Sequence, residues 1–181
     1  MRLSTVRWLK MLAAAAVMAV MLAGTAWAQD DETVEQVEKA GFLKEAVDKL
    51  FVELDGIQAR TDLTADQKKQ QMLKLIEMVR WGPSRKDAFF AVNMDAVLLV
   101  EPYRPELVGE NVEDYKDVNG KEVFKEILEI ARSDEQSGFL EFMWPKYDSE
   151  IPAAKVCYVE TYPPLGIPIG TGIYLEDAEA Y

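Results

Sequence analysis

At 181 residues, with 32 acidic against 20 basic side chains and a net charge of −12, the chain suits one domain with one core, and its acidic surface repels nucleic acid and anionic lipid. It contains no histidine, which removes the commonest general base and the commonest transition-metal ligand. Cys157 is its one cysteine, so no internal disulfide can form and the apolar core must hold the fold.

The first residues read as a leader. Arg2, Arg7 and Lys10 form a basic start, Met11 to Leu22 is unbroken apolar, and Ala26-Trp27-Ala28 is a small-x-small cleavage site. The apolar run is about 12 residues, whereas a membrane-spanning helix needs roughly 20, so a cleaved signal peptide over 1–28 is expected and the uncleaved anchor is the rival reading. No cysteine at the cleavage point offers a lipid anchor. The mature chain would cover 29–181 and sit in the periplasm, with 17 basic against 32 acidic residues. A surface that acidic slows an anion at long range, so any carboxylate site must rest on local Lys, Arg or backbone N–H groups; screening beyond ~8–10 Å permits that.

From Gln29 to Arg60, Val34, Val37, Ala40, Leu43, Val47, Leu50, Leu54 and Ile57 recur at threes and fours, which predicts a long helix weakened at Gly41. Thr64 is an N-cap candidate with Gln67 as its capping-box partner, opening a second helix that runs to about Trp81 and is stopped by Gly82-Pro83. Its Met72, Leu75, Ile76 and Val79 stripe reads as core, with a homodimer through the N-terminal helices (29–82) as the minority reading.

The period changes after Pro83. Ala88–Asn93 and Val97–Glu101 read as strands joined at Met94-Asp95-Ala96, and Pro102–Asn119 as a long connection. Val123, Phe124, Ile127, Leu128 and Ala131 predict a helix ending near Arg132. Strands over Gly138–Trp144, Ala153–Tyr162 and Ile167–Glu176 follow, the last two joined through Pro163-Pro164-Leu165-Gly166. The fold class is therefore α+β: long N-terminal helices on a mainly antiparallel five-stranded sheet spanning 83–177. Cys157, between Val156 and Tyr158, reads as a small buried hydrophobe, with a reactive or intermolecular thiol as the alternative.

Several short motifs fall in a familiar order. Arg80-Trp81-Gly82 precedes the first strand, which reads Phe89-Phe90-Ala91-Val92-Asn93-Met94. Glu101-Pro102 leads to Pro105-Glu106-Leu107-Val108-Gly109, then to Lys116-Asp117-Val118-Asn119-Gly120. Trp144-Pro145-Lys146, Lys155-Val156-Cys157-Tyr158-Val159 and Gly170-Thr171-Gly172-Ile173-Tyr174 with Glu176-Asp177 close the chain. In this order they resemble single-Cache sensor domains, the extracytoplasmic ligand-binding modules of chemoreceptors and sensor kinases, over roughly Leu43 to Asp177. The resemblance implies a PAS-like sheet, a pocket on its outer face and, in many members, a two- or three-carbon carboxylate ligand. Here no membrane helix follows the motifs, so a separately made soluble sensor is expected. Three positions depart from the family pattern: Ala91 replaces Trp, Met94 replaces Asp, and Glu101 replaces His.

A carboxylate asks for a cation or N–H donors at one end and apolar walls at the other. Lys146 and Lys155 are the candidate cations, Trp144, Phe90 and Tyr158 the candidate walls, Asn93 an orienting amide, and Tyr103, with Arg104, a cover from the long loop. Each has a plainer reading: the lysines and Arg104 as solvated surface, Trp144 and Phe90 as core. Lys155 and Tyr158 are three apart and so point to opposite faces of a regular strand. Glu101 would oppose an anion and favour an amine if it faced the pocket, and would mean little in solvent. No EF-hand loop, phosphate-cradling glycine loop, zinc spacing or serine elbow occurs, so neither enzyme nor cofactor is expected. The functional expectation is a periplasmic sensor of a small organic acid or related metabolite, acting through a membrane receptor or transporter partner. An acidic envelope interaction protein with a vestigial pocket is the alternative.

Overall fold

The computed structural model describes residues 41–147 and 149–181; the expected leader and the helix residues before Gly41 lie outside the described residues. Helix α1 spans Phe42–Gln58 and buries Leu43, Ala46, Val47, Leu50 and Leu54 along one stripe. Each fully buried Leu or Val contributes about 1.5–3 kcal/mol before entropy is counted. Gly41 does more than weaken a helix: it is the N-cap of α1 at φ 72°, a left-handed conformation that glycine adopts without a Cβ penalty. Helix α2, Ala65–Met78, opens with the expected box, the Thr64 hydroxyl accepting from the Gln67 amide and the Gln67 side chain accepting from the Thr64 amide.

Helix α2 ends three residues earlier than expected. Arg80–Trp81 forms a two-residue strand, β1, paired antiparallel with β2, Asp87–Val92. The remaining strands are β3 (Leu98–Val100), β4 (Ser137–Pro145), β5 (Pro152–Tyr162) and β6 (Ile167–Tyr174), with helix α3 at Val123–Arg132. The described residues thus form a six-stranded antiparallel sheet where five strands were expected, in the order β1-β2-β6-β5-β4, with β3 also on β2. The last strand, expected to reach Glu176, ends at Tyr174, and Leu175–Ala180 forms a 3-10 turn instead. At the β2–β3 turn Ala96 takes φ 60°, in the left-handed region that favours glycine.

Side-chain alternation splits the core in two. Phe89, Ile169 and Ile173 face α1 and α2, where Tyr162 donates its hydroxyl to Asp55 (2.8 Å). Phe90, Val92, Leu98, Leu140, Phe142, Trp144, Cys157 and Val159 pack with α3 on the other face. The Gly170-Thr171-Gly172 run is a packing requirement of that second face. A Cβ at Gly170 would stand 2.4 Å from the Phe90 ring, and one at Gly172 would stand 2.3 Å from both Cys157 Sγ and the Val156 carbonyl. Asp117 anchors the long connection to β4, its carboxylate accepting from the amides of Asn119, Lys121 and Met143, all at 2.9 Å. Although burial works to raise its carboxyl, those three donors with Lys121 hold it below the ordinary range.

Candidate ligand-binding site

Cross-strand registry sets one cation among aromatic groups. In the middle of the sheet Lys155 on β5 lies opposite Phe142 on β4 and Tyr174 on β6, so these three side chains emerge on the α3 face. Glu101 follows β3, Asp87 opens β2, and Trp144 is the next-to-last residue of β4; the 3-10 turn after β6 brings Ala180 and Tyr181 back to the cavity. Together they line a partly open cavity of about 290 Å³, shared with Phe90, Tyr103, Tyr147, Lys86, Gly172 and Asp177. That lies just under the roughly 300–1,000 Å³ of sites for drug-sized ligands, which suits a small metabolite.

Lys155 is enclosed by protein atoms yet keeps accessible surface, because that surface opens on the void. Its ammonium stands 5.2 Å from the Tyr174 ring centroid. Among the described residues, no carboxylate lies within direct ion-pair distance of it. Burial works to lower its pKa, but Cys157, Tyr174, Glu101 and Asp87 outweigh that and hold it above the ordinary value. It is a charged donor at neutral pH. Cys157 beneath it is buried, and burial pushes its thiol up to about 11, so it is a protonated core group.

Glu101 does face the cavity. Burial raises its carboxyl above the ordinary range, against the pull of Lys155, the Tyr103 amide, Arg104 and Arg80. The Tyr103 amide donates to its Oε1 at 3.3 Å. Asp87 is likewise raised by burial, while the Tyr181 hydroxyl donates to its Oδ2 and Lys155 lies near. The folded chain holds both protons more tightly than the unfolded chain, where the values are 4.5 and 3.8. The stability linked to them is therefore full below those values and lost as pH rises through the raised ones. Asp117 has the opposite sign and loses its contribution only as pH falls below 3.8. Thermal denaturation should accordingly show Tm falling as pH rises from about 4.5 toward neutrality. Glu101→Gln should flatten that slope; an identical slope in the variant would remove Glu101 as its source.

The other expected residues divide. Phe90, Glu101, Tyr103, Trp144 and Lys155 line the cavity. Tyr103 covers it, with its hydroxyl on the Lys86 carbonyl and its ring 5.8 Å from that of Tyr147. Tyr158 does not belong: strand alternation turns it to α1, where its hydroxyl accepts from Lys44 (3.4 Å) and donates to Glu160 (2.7 Å). Asn93 does not belong either, because its side chain caps the β2–β3 turn by accepting from the Asp95 and Val97 amides (3.0 and 2.8 Å). Lys146 is taken up by Glu176 and by Asp177 (2.9 Å) and stands 5.2 Å over the Tyr174 ring, clamping the 3-10 turn at the rim. Ala91, one of the three departures, is buried and lines no part of the cavity. Sequence reasoning missed Asp87, Tyr174 and Tyr181. Tyr174 was legible, since it lies two residues past Gly172 and shares its face; the other two arrive by chain reversal.

Among the described residues no group of three Asp, Glu or Cys side chains could hold a metal, and no helix is long and apolar enough to cross a membrane. The arrangement can bind: two ammoniums, Lys86 and Lys155, three carboxylates, Asp87, Glu101 and Asp177, and tyrosine hydroxyls around aromatic walls.

Comparison with known proteins gives concordant matches. The family model of Single Cache domain 2 matches residues 37–181. The methyl-accepting chemotaxis protein McpP of Pseudomonas putida is 25% identical over 181 residues, which is 99% of this chain and 33% of that protein. This chain thus spans about a third of the length of that relative. Among solved structures, a periplasmic sensor domain of a chemotaxis protein is 30% identical at a TM-score of 0.63, over 72% of this chain and 88% of the other. A Cache chemosensory domain described for carboxylic acid recognition is 26% identical at a TM-score of 0.62, over 84% and 97%.

Proposed function

The chain belongs to the Single Cache domain 2 family, and on that premise we propose that it is an exported sensor domain that holds a small organic carboxylate against Lys155 and reports it to a receptor or transporter partner. Cache domains are ligand-binding and signalling modules, not catalysts. The observation that carries the reading is Lys155, a charged ammonium lining a partly open cavity with no direct carboxylate partner among the described residues. Glu101 and Asp87 offset its charge from a distance, but neither accepts from it directly, and a ligand carboxylate is the group that would supply that charge-assisted bond. The carboxylic acid recognition ascribed to a structural relative agrees with this choice. The basic and apolar residues ahead of Gln29, together with the periplasmic setting of a similar sensor domain, support export.

Tyr181 offers a route for the signal. It lines the cavity, holds Asp87, and stacks on Phe42 of α1 with ring centroids 5.1 Å apart. A ligand that alters this contact shifts the last turn against α1, and a partner can read the shift.

A thermal-shift screen against small carboxylates, amines and amino acids tests the reading. A ligand at 100 times its Kd adds about 2.7 kcal/mol, on the order of 5–10 °C in Tm for a domain of this size. A blank at millimolar concentrations across the whole panel would replace the sensor with the acidic interaction protein.

A further inference from the structure

The geometry points to a ligand that carries a cationic amine as well as a carboxylate: a small amino-acid-like zwitterion, with its carboxylate on Lys155 and its ammonium on Glu101. This rests on the cavity being the ligand site, as proposed above, and names the ligand class more narrowly. At the rim, the charged side chains already have partners. Asp177 takes Lys146 at 2.9 Å, and Lys86 bonds the Tyr147 hydroxyl. The interior holds Lys155, Glu101 and Asp87.

These three do not neutralise one another in contact. Among the described residues Lys155 makes no direct ion pair, and Glu101 receives one long bond, 3.3 Å, from the Tyr103 amide to Oε1. Asp87 is shared with the Tyr181 hydroxyl. A plain carboxylate would satisfy Lys155 but would enter a cavity whose lining already holds three carboxylates, Glu101, Asp87 and Asp177, against two ammoniums, Lys155 and Lys86. A plain amine would satisfy Glu101 and leave Lys155 without an acceptor. A zwitterion answers both. The walls agree, because the faces of Phe90, Trp144 and Tyr174 accept either an alkyl chain or an ammonium. A cavity of about 290 Å³ has room for a small amino acid. Glu101 is also where this chain departs from the family's histidine, so the preference would belong to this chain.

The test is isothermal titration of the intact protein with matched pairs: acetate and glycine, propanoate and alanine or 3-aminopropanoate, butanoate and 4-aminobutanoate, with propylamine as the amine alone. The expected result is that, in at least one pair, the amino member binds 10-fold or more tighter than both its acid and propylamine. Glu101→Gln should cost that zwitterion 10-fold or more and leave the acid unchanged or tighter. If every acid binds as well as its amino counterpart, the inference is overturned while the carboxylate site stands. If no compound binds, the cavity loses its role and the inference goes with it. Should Glu101→Gln lose its circular dichroism signature, the paired comparison in the native chain decides.

Discussion

Lys155→Met is expected to reduce affinity for the best carboxylate ligand by at least 30-fold while leaving the domain folded. Truncating one member of a buried, hydrogen-bonded charge pair costs about 2–5 kcal/mol, and each 1.4 kcal/mol is about tenfold in Kd. Methionine keeps the length of the side chain between Phe142 and Tyr174, so the walls stay in place. The unliganded variant should stay folded without a gain in Tm, because losing the ammonium relieves its desolvation but leaves Glu101 and Asp87 without the charge that draws on them. Lys146→Met is the control. Lys146 is not itself a lining residue, though its partner Asp177 is, so breaking the clamp loosens the rim and leaves the Lys155 anchor in place; affinity should stay within about 3-fold, a change too small to represent a lost buried charge pair. Calorimetric titration of both variants separates the two lysines. Equal affinity in Lys155→Met and the native chain would remove the anchor.

Sequence periodicity carries far in this chain because most elements are amphipathic. The Thr64–Gln67 box, the α3 stripe and all five expected strands are found close to their expected bounds. The errors arise where a local signal meets a tertiary one. Arg80-Trp81 continues the helical sequence, but pairing with Ala88 and Asp87 draws it into the sheet, and Trp81 donates to the Thr171 hydroxyl at 2.8 Å. The site was legible in part for the same reason. A lysine inside an apolar strand is conspicuous, and the period of two already set Lys155 apart from Tyr158. Lys146 looked equally available because nothing local shows that Glu176 and Asp177 fold back on it across 30 and 31 residues. Tyr181 on Asp87 spans 94 residues and has no local signature at all. Glu101 could face either way in sequence; the turn at Tyr103 that bonds its carboxylate decides in favour of the cavity.

Trp144→Ala should show the opposite pattern from Lys155→Met: a large loss of stability. Trp144 was open to two readings, core or ligand wall, and it occupies both positions. Its side chain is 4% exposed and packs edge-on against Phe124 (6.2 Å, 76°) and Phe142 (5.8 Å, 85°), with Tyr115 tilted at 5.3 Å. With Phe90, Glu101 and Lys155 it also lines both the main cavity and a void of about 10 Å³ against α3, where Val123, Phe124 and Ile127 complete the wall. Truncating a buried Trp costs about 3–5 kcal/mol through lost transfer energy and the cavity left behind, on the order of 10 °C in Tm here. Lys155 remains in place, so a short carboxylate should still bind, though more weakly for want of a wall. The two spaces become one, and indole should partly restore Tm by refilling the hole, as apolar molecules do in dry engineered cavities. Longer acids should gain on shorter ones in the variant. Thermal melts with and without indole measure the first effect, and titration with an acid series measures the second. A Tm loss worth less than about 1 kcal/mol would mean that Trp144 is not packed as core, and an unchanged order of acids would mean that it does not limit the depth of the site.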